Sequence, residues 1–267
     1  MIILGYIAAV FMGLVLGVIG GGGSILTVPI LVYLMGIAPD IATGYSLLIV
    51  GATAAFGAVH YFRQGLVDVR ASIIFAIPSI IAVYLSRAFL MPSIPEVIIS
   101  SPFEVSKNLA IMVLFAILML ASAIMMLKKA YAKTSAVDLE IKAAKSPNVP
   151  LIVVEGALVG VITGILGAGG GFLIIPALVL FMGMPMKKAV GASLFIIALK
   201  SLIGFTGDLQ SGIELALPLL PLMLLATFVG MAVSTKIASK LNDAVLQKFF
   251  AIFTLVIAIF IMSKELA

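Results

Sequence analysis

The sequence predicts an all-α polytopic membrane protein made of two inverted repeats, and three observations predict it. Of 267 residues 63% are hydrophobic and only 10% charged, against about 25% charge in an ordinary globular domain. Apolar runs of membrane-spanning length recur along the whole chain. A glycine-rich pattern occurs twice, 147 positions apart. Lipid supplies the solvent that a charged skin would otherwise require, which places the chain in a cell membrane as a multi-pass protein. The net charge of +5 is then a matter of where lysines and arginines lie, and implies no nucleic-acid partner. With no cysteine and one histidine, disulfides, thiolate chemistry and a multi-histidine metal site have no raw material. No metal and no cofactor are therefore expected.

The elements follow in order. The apolar run from Ile2 past Val32 has no basic n-region and no small-residue cleavage site, so it reads as a retained membrane element rather than a signal peptide. Further apolar segments run over Ile41–Phe62, Ala71–Leu90, Leu109–Leu127, Leu151–Met184, Ala189–Phe205, Leu215–Val233 and Val245–Met262. A straight span needs about 20 residues, so the first and fifth are too long. Each is interrupted by glycines, Gly20-Gly21-Gly22-Gly23 and Gly167-Ala168-Gly169-Gly170-Gly171, where helix is weakest. Each is expected to be two helices joined at the break. The loop Met91–Ser106, with three prolines, reads as an ordinary connection. The polar stretch 128–150, with five lysines, reads as a cytoplasmic linker between a first repeat (1–127) and a second (151–267).

Laying residues 13–65 over 160–212 gives 18 identities in 53 positions without a gap, many of them glycines such as Gly13 with Gly160, Gly20 with Gly167 and Gly65 with Gly212. Shared apolar composition would favour Leu, Ile and Val instead, so duplication is the better account. Lysine and arginine placement decides the parity of the halves. With each broken segment entering and returning as a hairpin, Arg63, Arg70, the linker lysines, Lys187, Lys188, Lys236 and Lys240 fall inside, against Arg87, Lys107 and Lys264 outside. A model of four full spans per half shows almost no bias. The positive-inside rule thus selects hairpins and inverted halves.

Broken helices that meet near the midplane are the architecture of secondary transporters, with helix N-termini offering N–H groups to anions. Gly22, Gly23, Ser24 and Gly169, Gly170, Gly171 occupy such places, although small residues also serve simply to pack helices closely. A second signal follows each break. Thr43, Ser46, Val50, Thr53, Gly57 and His60 recur at helical spacing on one face, and their repeat partners are Val190, Ser193, Ile197, Lys200, Gly204 and Gly207. Lys200 is either a site residue, as an ionisable group within a span suggests, or a lysine snorkelling to the interface. His60 is either interfacial or a proton relay. Glu155, Tyr45, Tyr61, Asp208 and Glu214 read as interfacial or loop residues. No nucleophile with a base and no paired carboxylates stand at membrane depth, so no enzyme is expected. A cation permease would favour acidic spans.

The segments Gly167-Ala-Gly-Gly-Gly-Phe-Leu-Ile-Ile-Pro176 and Gly20-Gly-Gly-Gly-Ser through Pro29 resemble the TauE/SafE family of sulfite exporters. So do Gly44-Tyr-Ser-Leu, His60 with Gly65-Leu-Val-Asp68, and Gly191-Ala-Ser-Leu. The resemblance implies a carrier of small anions, often sulfite or organosulfonates, with the lipid bilayer and a small anionic substrate as partners and room for a homo-oligomer. The second half departs from the pattern after Phe205, where Gly207-Asp-Leu-Gln lacks the histidine.

Overall fold

The computed structural model describes residues 2–99, 105–131, 149–167, 169–238 and 241–266. Most of the anticipated linker, 132–148, and Ala168 of the second glycine break lie outside the described residues. Among the described residues the regular structure is helical apart from one short pair of antiparallel strands. Helix α1 (Ile2–Ile19) runs into a 3-10 turn at Gly20–Leu26, then α2 (Thr27–Pro29) and a π turn at Ile30–Leu34. Helices α3 (Pro39–Arg63) and α4 (Val69–Leu85) follow, with a π turn Ser86–Leu90 and the short α5 (Met91–Ser93). Strands β1 (Val97–Ile99) and β2 (Val105–Ser106) pair antiparallel inside the stretch expected to be a plain loop. Then come α6 (Lys107–Tyr131), α7 (Val149–Leu166), α8 (Gly171–Pro176) with a π turn Ala177–Phe181, α9 (Met186–Gln210), α10 (Leu219–Ala238) and α11 (Asp243–Leu266).

Six helical stretches among the described residues are long and apolar enough to cross a membrane, the first being Ile3–Leu34. That first stretch is not one span. A Cβ on Gly5 would sit 2.5 Å from the Met35 side chain, and one on Gly23 would strike the backbone of Leu16. In a straight helix Gly5 and Met35 would be about 45 Å apart at 1.5 Å per residue. The chain therefore enters, turns at the glycines and returns. The second broken segment does the same, since Gly170 packs on Thr163 and Lys129, at the end of α6, donates to the Val179 carbonyl beyond the turn.

The turns differ from a plain unwound break. The first glycines are wound into the buried 3-10 turn, so only Gly20, with φ +68°, leaves the helical region there. Its repeat partner Gly167 has φ +66°, and the pairs Gly36 with Gly183 and Gly65 with Gly212 are also left-handed. An L side chain resists that conformation, which explains why these glycines match across the repeat. Other matched glycines serve close packing. A Cβ on Gly160 would lie 2.5 Å from the Ser79 carbonyl oxygen, and one on Gly13 would strike the Thr227 carbonyl. These contacts hold α7 against α4 and α1 against α10. Both crossings run parallel: Gly156, Gly160 and Gly164 meet Phe75, Ser79 and Ser86 in turn.

The repeat-related helices α3 and α9 cross one another antiparallel, for Gly44 faces Ile213, Gly51 faces Leu202 and Gly57 faces Leu194. Helices α6 and α11 do likewise, with Gln247 near Met126 and, further along, Leu120 beside Ala258 and Met262. Large apolar side chains such as Ile77, Ile81, Val229 and Val256 are exposed on the outside, a surface suited to lipid tails. Buried hydroxyls, among them Ser24, Thr43, Ser46, Thr53 and Ser193, lie within.

Candidate functional site

The two glycine turns meet in the centre of the bundle. A Cβ on Gly21 would collide with the Gly171 backbone, and one on Gly171 with Gly21. Glycine at both positions lets two main chains touch where any side chain would hold them apart. Around this contact the polar stripes of α3 and α9 supply hydroxyls. The Gly21 N–H donates to Ser193 Oγ at 3.3 Å, and Ser193 in turn donates to the Val190 carbonyl at 2.8 Å. Ser24 Oγ donates to the Gly21 carbonyl at 2.6 Å. Ser46, the repeat partner of Ser193, is buried with no hydrogen-bond partner on its hydroxyl.

Lys200 lies at the second turn. It is fully buried, so the snorkelling reading is wrong: its stem cannot reach an interface through the packing of α4, α7 and the glycine turn. Its ammonium donates to Thr163 Oγ1 at 2.9 Å, and a Cβ on Gly170 would stand 2.6 Å from it. No carboxylate pairs with it among the described residues. A buried cation without a counter-ion carries a large desolvation cost, and a bound anion would offset it.

The other sequence-selected residues divide. Gly169 stands near Ser24, with a Cβ 3.4 Å from that of Ser24, so Ser24, Gly169, Gly170, Gly171, Ser193 and Lys200 gather at the turns. Gly22 instead faces the Phe250 ring and Gly23 the backbone of Leu16; both are occupied by packing. Thr53, the repeat partner of Lys200, spends its hydroxyl on the Ile49 carbonyl and on Thr227 Oγ1, each at 2.7 Å. His60 is half-buried at the far end of α3, 2.7 Å from Gln64 Nε2.

Two further residues, towards one end of the bundle, form a buried pair that was not anticipated. Arg87 is 2% exposed. Its Nη2 meets Asp208 Oδ1 at 2.6 Å, while Nη1 donates to Thr43 Oγ1 at 3.0 Å and to the Gly164 carbonyl at 3.1 Å. Asp208, expected in a loop or interface, is correspondingly buried on α9. The Gly164 carbonyl lies in the last turn of α7, where no intrahelical N–H remains to satisfy it. At the repeat-related place the Gly17 carbonyl accepts instead from Tyr61 Oη at 2.8 Å, and Tyr61 is thus buried rather than interfacial. Tyr45 is likewise buried, donating to the Glu214 carbonyl at 2.5 Å. The serine row Ser72, Ser79, Ser86, spaced by seven residues and ending beside Arg87, is the sequence signal for a buried polar face along α4 and the π turn after it. Asp208 stands eight residues from Lys200 on the same helical face, the equivalent signal on α9.

Each end of the bundle holds a cavity. One, of about 480 Å³, is lined by Asp40, Tyr45, Arg87, Lys107, Asp208 and Ser211 among others. The other, of about 180 Å³, is lined by His60, Tyr61, Gln64, Leu66 and Lys187 among others. Adding 147 to Tyr61, Gln64 and Leu66 yields Asp208, Ser211 and Ile213 of the larger cavity, so the two are repeat-related.

The chain matches the family model "Sulfite exporter TauE/SafE" over residues 5–261. It is 32% identical over 192 residues to a protein named "Probable membrane transporter protein" from Xylella fastidiosa, covering 72% of this chain and 67% of the relative. It is 28% identical over 256 residues to "Probable membrane transporter protein YunE" from Bacillus subtilis, covering 88% and 90%. A relative of the same description from Methanocaldococcus jannaschii is 27% identical over 258 residues. No solved structure matches the chain.

Proposed function

The chain belongs to the TauE/SafE family of multi-pass membrane transporters, and from that premise we propose that it carries a small anion, an oxidised sulfur compound such as sulfite or an organosulfonate, bound between the two glycine turns. The observation that carries this reading is Lys200: a buried ammonium against Gly170, bonded to Thr163 and lacking a carboxylate partner among the described residues. In such a setting the ligand supplies the missing charge, and Ser193, Ser46 and the turn backbone offer hydrogen-bonding groups around it. The contact of Gly21 with Gly171 closes the site in this conformation. Transport then requires the turns to part, first towards one cavity and later towards the other.

The same reading takes residues 1–127 and 151–267 as inverted repeats joined by the 128–150 linker. The antiparallel course of α3 against α9, and of α6 against α11, supports it, because two copies inserted with the same orientation would present equivalent helices in parallel.

Replacing Lys200 by Met keeps the apolar stem and removes the charge. Lys200→Met is expected to weaken anion binding by roughly 1.5 to 3 kcal/mol, the range of a charge-assisted hydrogen bond, or about tenfold to hundredfold in Kd. Calorimetry with sulfite and methanesulfonate on folded protein checks this. An unchanged Kd removes Lys200 from the site.

A further inference from the structure

The Arg87–Asp208 pair is only half made. In an arginine fork the Nε and Nη2 N–H groups form one edge that meets both oxygens of a carboxylate. Here Nη2 reaches Asp208 Oδ1, while Arg87 Nε and Asp208 Oδ2 are both buried without a hydrogen-bond partner. The other side of the guanidinium is committed, its Nη1 being bonded to Thr43 and to the Gly164 carbonyl beside the second glycine turn. Both Arg87 and Asp208 line the larger cavity, together with Lys107, Asp40 and Glu214. Arg87 is thus held rigidly on the wall of that cavity, and one of its binding edges is incompletely used. Leaving buried N–H and carboxylate atoms unpaired is costly, so the pair is a poor final partner for either residue.

We propose that Arg87 is a second anion-binding group on the transport path, in the larger cavity, and that Asp208 is its internal placeholder. A small oxyanion with two or three oxygens takes the Nε and Nη2 edge that one carboxylate oxygen occupies here. Asp208 is displaced when the oxyanion binds and returns when it leaves. The proposal takes its substrate class from the reading of Lys200, but its site is separate: Arg87 stands at the cavity wall and Lys200 at the turn. Because Arg87 also holds the last turn of α7 through Gly164, an exchange of partners there is communicated directly to the helix that leads into the second turn.

A placeholder makes a prediction of unusual sign. Asp208→Asn, which keeps the shape and removes the competing charge, should tighten methanesulfonate binding to the full-length protein by about tenfold. A purely structural ion pair would give the opposite, a weaker or unchanged Kd in a less stable protein. Adding Arg87→Lys, which keeps the charge but has no fork, should cancel the gain. The gain should persist in a Lys200→Met background, so failure of the Lys200 reading and failure of this one are separable. Loss of affinity on Lys200→Met, with no tightening on Asp208→Asn, leaves the turn site standing and overturns the placeholder. An independent measurement leaves the pair intact: in this cysteine-free chain, Ser211→Cys on the cavity wall should be protected from an impermeant maleimide by methanesulfonate. Absence of protection also overturns the proposal.

Discussion

The two ends of the bundle are related by the repeat yet fastened differently. At one, the open carbonyl of Gly164 is held by Arg87, itself paired with Asp208. At the other, the equivalent carbonyl of Gly17 is held by the neutral hydroxyl of Tyr61, the residue that stands where Asp208 stands in the second half. The cavities follow suit, about 480 Å³ with five charged lining residues against about 180 Å³ with Lys187, His60 and Gln64. The left-handed glycines Gly20 and Gly167, Gly36 and Gly183, and Gly65 and Gly212 match across the halves; the touching Gly21 and Gly171, which stand opposite Ala168 and Ser24 in the repeat, do not, nor do the groups that close the ends. A positive φ strongly favours glycine, which accounts for the three matched pairs, although the second turn has two further left-handed glycines, Gly169 and Gly170, that the first does not. An orphan carbonyl accepts any donor, so the two halves can satisfy Gly17 and Gly164 with different side chains. One end thus closes with a charged pair and the other with a neutral hydrogen bond.

The largest expected difference between the ends comes from removing one partner of the charged fastening. Arg87→Leu leaves Asp208 buried and unpaired, and should cost about 3 to 5 kcal/mol of stability, read from chemical or thermal unfolding in detergent. A loss near that of the tyrosine variant below would mean the two closures are energetically alike, against the comparison. Next come the helix crossings, where the halves should behave alike. Gly160→Ala drives a methyl towards Ser79 and Gly13→Ala one towards Thr227, and each should cost about 1 to 3 kcal/mol by overpacking. A marked inequality would show that the repeat relation does not extend to the α7–α4 and α1–α10 contacts. The neutral fastening is worth less. Tyr61→Phe removes one hydrogen bond and should cost about 1 kcal/mol, with anion affinity unchanged. The last test carries no energy. Single cysteines at Gln64 and Ser211, equivalent positions in the two cavities, should react with an impermeant maleimide from opposite sides of the membrane. Reaction from one side alone would contradict the inverted arrangement on which the comparison rests.

Much of the fold was legible in the sequence because membrane and backbone constraints are local. Charge scarcity, the lengths of the apolar runs and the glycine pairs are properties of consecutive residues, and they specified a polytopic helical chain with two broken segments; the placement of lysines and arginines added that these turn back. The stripes on α3 and α9 were also legible, since helical periodicity places Thr43, Ser46, Val50 and Thr53, or Ser193 and Lys200, on one face whatever they pack against. Their partners were not. That Lys200 ends at Thr163 and Gly170, that Arg87 reaches α3, α7 and α9 at once, and that Gly22 and Gly23 are consumed by Phe250 and Leu16 are meetings of residues remote in sequence. Spacing along one helix carries no information about the azimuth of the next. By itself the sequence determined that polar faces and flexible glycines exist and must be buried together, because lipid offers them no partner. Only the tertiary structure decided which donor meets which acceptor, and so distinguished the cation at the turn, without a counter-ion among the described residues, from the one already half claimed by a carboxylate.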